Sequence, residues 1–527
     1  MKGLAMELAY TEETARLRCP ESGGVWGRLS CWDAGLSASL RLVENRWRRL
    51  GKIVTHSGDA IFWLATAAVM FFLASLVTLN SNGLFFDEGI YITAGLRTLQ
   101  GHGYSDRYLT WCGGTLLWPA LAGIGYRLAG TVGARALALL AVSAGLLAFG
   151  RAARNLFGER AGFWATLALA LNGALISTAR LAVYDGLAWA GMAVSFWALT
   201  ELARHDHRKW LLLAVIAYVL GTLAKYSTGV MLLPLLGILT ITRPKKASLD
   251  LLLFGYLGAL TAVMVLLPWR EQVAIYFQWR LTNTPSFGVT LPMIAFTALS
   301  FSLPALILAP IGWGLSRENR RLVGILLLSL LIWPAYHILR HDPVSITKHL
   351  TFGYLFAYPL VGVALAALWG ARKGEFRALR RAVTLLLVLA LAALGISQAL
   401  RADRGWPDLR APARYLLEHV RPGEKLLINE SWPFIAYLYA QGRILSPWDV
   451  YDTYRVTHGE LEGDLCAVDW FVDVRGSFSW PPEILQRIEA CGTFQPVFSS
   501  TSRVVNIGSD LRYVEYPVET VIWQNKE

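Results

Sequence analysis

"GLFFDEGIYITAGLRTLQGHGY" (residues 83–104) follows an uncharged run at residues 60–79 and sets Asp87 beside Glu88 where that run ends. Charge at membrane depth is costly and is kept where it pairs or lines a polar cavity. The stretch decides the fold if the apolar run before it is one of many, and composition says that it is. The chain has 527 residues, 55% of them hydrophobic and 16% charged, whereas soluble domains carry about a quarter charged. Its mean hydropathy is +0.42. Apolar stretches recur from about residue 60 to 400 and then stop. That pattern predicts an α-helical polytopic membrane protein with a hydrophilic tail.

The net charge of +12 does not indicate a nucleic-acid partner, because the basic residues sit in short clusters between the apolar runs. Arg151/Arg154/Arg160, Arg204/Arg208/Lys209, Arg243/Lys245/Lys246, Arg317/Arg320/Arg321 and Arg372/Lys373/Arg377/Arg380/Arg381 follow the pattern of cytoplasmic loops under the positive-inside rule. With these inside, eleven spans are expected: 60–79, about 134–150, 161–179, 186–203, 210–223, 228–242, 249–268, 291–315, 322–339, 349–369 and 382–400. The N-terminus is then cytoplasmic and the tail external. Segment 113–130 is apolar, but a crossing there would flip every later basic loop, so it is read as a helix along the outer interface.

The expected organisation is a cytoplasmic N-terminal extension (1–58), a membrane-embedded domain (59–402) with a long first external loop (80–133), and a small external α/β domain (403–527). Residues 1–55 lack the short apolar core and small-residue site of a cleavable signal. In the tail, "ARYLLEHV" reads as helix, and "KLLINE", "WFVDVRG" and "VETVIW" read as strands. Cys466 and Cys491 could pair in an oxidising compartment or remain free.

The topology gathers polar groups at the outer face: Asp87 and Glu88, then Arg180, Tyr184 and Asp185, then Lys225, then Arg270 and Arg280, then Lys348 and His349. Structural readings stand beside functional ones. Asp87 and Asp185 have the place of helix caps. Lys225 could snorkel, yet it lies between two short helices, and broken helices often line sites. Arg270, Arg280 and Arg340 could be interfacial anchors beside Trp269, Trp279 and Trp333. His341 and His349 match no compact metal spacing, and no metal is expected. Acids and bases together at an outer membrane face suit transfer from a lipid phosphate, with a carboxylate base for the acceptor hydroxyl and Lys or Arg for the departing phosphate. Transporters assemble similar groups.

"FFDEGIYITAGLRTLQGHGY" resembles the first-loop signature of the membrane-embedded GT-C glycosyltransferases. The branch is that of protein O-mannosyltransferases, the lipid A aminoarabinose transferase and bacterial lipopolysaccharide galacturonosyltransferases. "STARLAVYDGLAW", "LGTLAKYSTGVMLLPLL" and "KHLTFGYLFAYPL" resemble further family segments in the same order, so the resemblance spans about residues 60–400. It departs at "GGTLLWP", at "LAKYS" and at Lys348-His349, where the family has Arg-Tyr.

The resemblance implies an inverting glycosyltransferase of the cell envelope, using a polyprenyl-phosphate sugar donor and a lipid, glycan or protein acceptor, without a required cofactor. Asp87 would be the base, Glu88 would help orient the acceptor or support Asp87, and Asp185 would be the second acid. Lys225, Arg270, Lys348 and His349 would contact the donor phosphate, and Tyr91, Tyr104 and Tyr184 would line the substrate pocket. The alternatives are a secondary transporter with an intramembrane Asp/Lys coupling site, or a polymerase or ligase of lipid-linked oligosaccharides.

Overall fold

The computed structural model describes residues 78–526 apart from 106–107, 110–116, 283–288, 317, 371–376, 462–463, 477–478 and 509, together with Phe71 and Ser75. The predicted span 60–79, nearly all of it, and the 1–58 extension lie outside the described residues. The other ten predicted spans are all helical.

The chain begins with α1 (Phe86–Leu99) and α2 (Leu117–Phe157). Helix α2 is broken at Ala129 and Gly130, whose backbone leaves helical geometry. The proposed interfacial segment is thus a helix joined to the next span through a kink, and Gly130 at φ 59° supplies the turn. Helices α3 (Glu159–Ala170) and α4 (Gly173–Ala179) form a pair bent by 67°. Sequence periodicity reads them as one span. The bend arises because Asn172 caps α4, accepting from the amides of Ala174 and Leu175, while its Nδ2 donates to Tyr358 Oη at 2.7 Å.

Next come α5 (Tyr184–His205), α6 (Arg208–Ala224), a 3-10 turn at Tyr226–Met231 leading into α7 (Leu232–Thr242), α8 (Ala247–Leu266) and α9 (Arg270–Thr282). The membrane part closes with α10 (Leu291–Leu315), α11 (Arg320–Leu328), α12 (Ile332–Arg340), α13 (Ile346–Trp369) and α14 (Arg377–Asp403). Among the described residues seven helices are long and apolar enough to cross a membrane alone, or eight if the bent pair is one span. Helices α6 and α7 fall short singly because the chain breaks at Lys225, whose backbone is extended (φ −151°, ψ 105°).

Helix α13 is the centre of the bundle. Gly362 brings it against the Ala161 carbonyl of α3, and Gly312 of α10 meets its Leu360 carbonyl, leaving no room for a Cβ at either contact. Helix α8, apolar on all sides, instead exposes Leu252, Tyr256 and Met264. That is the surface of a helix whose solvent is lipid.

Beyond α14, α15 (Arg410–His419) leads into β1 (Leu426–Ile428), α16 (Ser431–Ala440), β2 (Val450–Tyr451), α17 (Thr453–Thr457), β3 (Trp470–Val474), α18 (Pro482–Cys491), β4 (Phe494–Ile507) and β5 (Tyr513–Asn525). The sheet order is β2-β1-β3-β5-β4. Strand β1 is parallel to both neighbours, whereas β5 is antiparallel to β3 and β4. Strands β1 and β3 are buried on both faces, so apart from Asp473 their residues run apolar without alternation. The long β4–β5 hairpin is not legible in advance, because "FQPVFSSTSRVVNI" carries Pro496 and a polar serine–threonine run. Its register slips between Pro496 and Phe498, which accommodates the proline.

This sheet shares a core with the first loop. Leu84, Ile90, Tyr91 and Trp118 pack with Trp432, Phe434, Ile435 and Trp470 in one cluster. Gly89 of α1 lies so near α16 that a Cβ would sit 2.4 Å from the Trp432 carbonyl oxygen. Cys466 and Cys491 are disulfide-bonded across a sequence separation of 25, with Cα atoms 5.5 Å apart. Replacing both with serine is expected to lower stability by about 3 kcal/mol, the entropy of a loop of this length. A thermal melt read by near-UV circular dichroism checks this, and an unshifted transition would contradict it.

Candidate active site

Asp87 and Glu88 occupy the first turn of α1, and successive helical residues project about 100° apart. They consequently face different surroundings. Glu88 points inward and is fully buried. Its carboxylate accepts from Arg135 Nε (2.8 Å) and Nη2 (2.7 Å), from the Phe85 amide (2.8 Å) and from the Ala182 amide (2.6 Å). Arg135 donates further to the carbonyls of Leu79, Asn82 and Gly83 at 2.7, 2.9 and 2.6 Å. The pair therefore fastens the start of α1 to α2 and to the turn before Asp185.

Asp87 points the other way. Its side chain is 33% exposed, and Oδ2 accepts from Lys348 Nζ at 3.0 Å. Lys348, on the first turn of α13, has its ammonium 4.9 Å from the Phe85 ring centroid. Of the three acids, Asp87 alone is open to an incoming molecule, since Glu88 and Asp185 are buried.

Asp185 stands in the first turn of α5, where the helix N-terminus favours its charge. Its Oδ1 accepts from Lys225 Nζ at 2.5 Å. Its Oδ2 is buried without a hydrogen-bond partner among the described residues. The break between α6 and α7 turns Lys225 inward, 5.0 Å above the Tyr184 ring, and Tyr184 packs on Tyr91 at 4.8 Å. The two ion pairs form one cluster, for Lys225 is repelled by Lys348 and attracted by Asp87 as well as by Asp185.

His349 lies behind Lys348, ring to ring with Trp333 at 4.2 Å. Its Nε2 is 3.4 Å from Ser227 Oγ and its Nδ1 is 2.9 Å from His337 Nε2.

The structure thus brings together Asp87, Asp185, Lys225, Lys348, His349, Tyr91 and Tyr184, with Glu88 beneath them. Arg270 stands apart, whereas Tyr104 packs against the same core cluster as Tyr91 and Tyr184. Arg270 begins α9 with its side chain 72% exposed, and its recorded ion pair is a 3.7 Å contact with Glu271. The expected loop there is instead a 3-10 turn at Leu267–Trp269 running straight into helix, which turns Arg270 outward. Tyr104 stacks on Tyr108 at 5.3 Å. Burial raises its phenol above the ordinary range, partly offset by a hydrogen bond with Thr98. The side chain of Arg280 lies outside the described residues.

Arg135 and His337 are the site-supporting residues that sequence reasoning missed. Each is an ionisable group inside an apolar helix, "GARALALL" and "IWPAYHILR". That is the very cost which drew attention to Asp87. Arg180 also acquires a partner, donating to Asp403 Oδ2 at 2.9 Å, so the turn before α5 is tied to the end of α14. Among the described residues no three His, Cys, Asp or Glu side chains converge to hold a metal.

Two buried ammonium groups beside one accessible carboxylate and one buried one can hold an anion while a hydroxyl is deprotonated. Comparison with known proteins bears on the fold. Residues 115–269 match the family described as dolichyl-phosphate-mannose-protein mannosyltransferase. No curated protein matches the sequence significantly.

Among solved structures, ArnT from Cupriavidus metallidurans bound to undecaprenyl phosphate superposes with a TM-score of 0.56 at 19% identity, covering 89% of this chain and 98% of that one. The arabinofuranosyltransferase AftD from Mycobacteria gives 0.51 at 17% identity, over 88% of this chain and 40% of AftD. The Archaeoglobus fulgidus oligosaccharyltransferase in its apo form gives 0.50 at 11% identity, over 86% and 74%. The chain is accordingly a multi-pass membrane protein with the GT-C glycosyltransferase fold.

Proposed function

We propose that the chain is an inverting glycosyltransferase, moving one monosaccharide from a polyprenyl-phosphate donor to a hydroxyl of a lipid, glycan or protein acceptor at the external face of the cell membrane. The observation that carries this reading is the accessible Asp87 set against Lys348, beside the buried Asp185–Lys225 pair. A single carboxylate with an open oxygen suits a general base, and two ammonium groups held at hand suit a phosphate.

In the reaction the acceptor hydroxyl gives its proton to Asp87 as its oxygen attacks the anomeric carbon. The sugar–phosphate C–O bond breaks on the opposite side. The bonding pair leaves with the polyprenyl phosphate, whose second negative charge Lys225 and Lys348 offset. Asp185 fixes Lys225 through Oδ1 and keeps Oδ2 for a hydroxyl of the bound sugar. Glu88 positions Asp87 without touching substrate, and Tyr91 and Tyr184 wall the pocket. His349 adds a further phosphate contact. These steps require no cofactor.

Sidedness is part of the proposal. The Cys466–Cys491 disulfide belongs to an oxidising compartment, and residues 403–527, read as an external domain, share a core with α1. On this reading Asp87 lies outside, residues 59–402 are the catalytic membrane domain and residues 1–58 are cytoplasmic, as the basic loops lead one to expect. The undecaprenyl phosphate bound by ArnT supports a lipid-phosphate donor.

The test uses purified protein in lipid with a panel of radiolabelled polyprenyl-phosphate monosaccharides, scored for release of sugar to water or to added acceptors. Release from one member of the panel is the expected result and names the sugar. Failure to bind any member would sink the reading.

A further inference from the structure

His337 and His349 form a hydrogen-bonded line that reaches the turn carrying Lys225. His337 Nδ1 lies 2.5 Å from the Asp342 carbonyl oxygen. A carbonyl only accepts, so the proton is on His337 Nδ1, and neutral His337 presents a bare Nε2. That lone pair faces His349 Nδ1 at 2.9 Å, so His349 donates from Nδ1 and keeps its own lone pair on Nε2. One backbone carbonyl thereby fixes the tautomers of both rings. Trp333, tilted against His349 at 4.2 Å, and Tyr336, edge-on to His337 at 5.2 Å, oppose the ring rotation that would exchange the nitrogens.

The lone pair so fixed faces Ser227, two residues from Lys225, and His349 follows Lys348 directly in α13. Among the described residues the charged and titratable groups about it include His337 and Tyr336 on α12, Asp342 on the turn before α13, Lys348 on α13 with its partner Asp87 on α1, and Lys225 on the turn after α6 with its partner Asp185 on α5. At the centre the two ammonium groups balance the two carboxylates. A phosphodiester entering this buried place adds one unbalanced negative charge, which a low-dielectric pocket counters with a cation. Of the groups present, imidazole has the ordinary pKa nearest neutrality.

We propose that His349 takes up a proton at Nε2 when a phosphodiester anion occupies the Lys225–Lys348 cradle, with His337 as the positioning residue that fixes which nitrogen receives it. This rests on the phosphate-donor reading above. The proton comes from solvent, only the N–H bond forms, and the proton returns to solvent when the anion leaves. The charged ring then donates from Nε2 to the phosphate while Nδ1 still donates to His337.

The experiment is calorimetric titration of the full-length protein in nanodiscs of zwitterionic lipid with farnesyl methyl phosphate. This diester lacks the second ionisation, near pH 6, of a phosphate monoester. Binding is measured in two buffers of different ionisation enthalpy slightly above neutral pH. The wild type should take up close to one proton per molecule bound. His349→Asn should bind about tenfold more weakly with no uptake. His337→Phe should lose the uptake, and His337→Gln, whose side-chain oxygen can accept from Nδ1, should retain it. A purely structural role for His337 would leave the proton count alone.

Wild-type binding with a buffer-independent enthalpy would overturn the proposal even if no variant folds. Uptake that persists in His349→Asn would overturn it as well. Absence of any binding is a different result: it removes the phosphate reading, and this proposal with it.

Discussion

Asp87→Asn lowers turnover of the cognate donor by about 10²- to 10⁴-fold, the range a general base contributes, and leaves donor binding in place. Asparagine preserves the shape of the side chain and its place in the first turn of α1 but cannot take a proton at neutral pH. Lys348 keeps an oxygen to donate to, since the amide carbonyl accepts as the carboxylate Oδ2 does at 3.0 Å. The loss therefore falls on kcat with little change in KM, the pattern of an interaction made only in the transition state. Single-turnover kinetics on pre-bound donor check it. Unchanged turnover would remove Asp87 as the base, and a rise in KM with kcat intact would move it to substrate binding.

Arg135→Met destabilises the fold by about 3–5 kcal/mol, because it leaves the buried Glu88 carboxylate without its cation. Both side chains are nearly inaccessible, at 2% and 0% exposure, so solvent cannot compensate. The substitution also strips a donor from the carbonyls of Leu79, Asn82 and Gly83. Glu88→Leu combined with Arg135→Met recovers part of the loss, since no unpaired charge then remains buried. The carbonyls stay unsatisfied, so recovery is incomplete.

Unfolding monitored in detergent for the two single variants and the double variant measures the coupling. Additive effects would show that the pair is not an energetic unit. Activity should fall with stability, because the Ala182 amide is held by Glu88 at 2.6 Å, three residues before Asp185.

Adjacency alone does not separate the two expected roles of Glu88. In sequence, Asp87-Glu88 reads as a matched pair at one site. In the fold the helical twist divides them, one to the pocket and one to the core. Arg135, the group that makes the difference, lies 47 residues away. The same holds for His337, visible as an ionisable residue in an apolar run yet meaningless until His349 is found beside it.

What the sequence determined by itself is what depends on local physics. Apolar run length set the helices, the basic loops and turn residues set their ends, the cost of charge at membrane depth marked Asp87, the break between two short helices marked Lys225, and the family resemblance singled out Asp185 and Lys348. Only the tertiary structure decided the pairing: Lys348 with Asp87 across 261 residues, Lys225 with Asp185 across 40, Arg135 with Glu88. It also decided that Arg270 turns outward and that the C-terminal sheet is packed on α1. The physical reason is that burial cost belongs to a residue, whereas its compensation belongs to whichever partner the packed helices bring within about 3 Å.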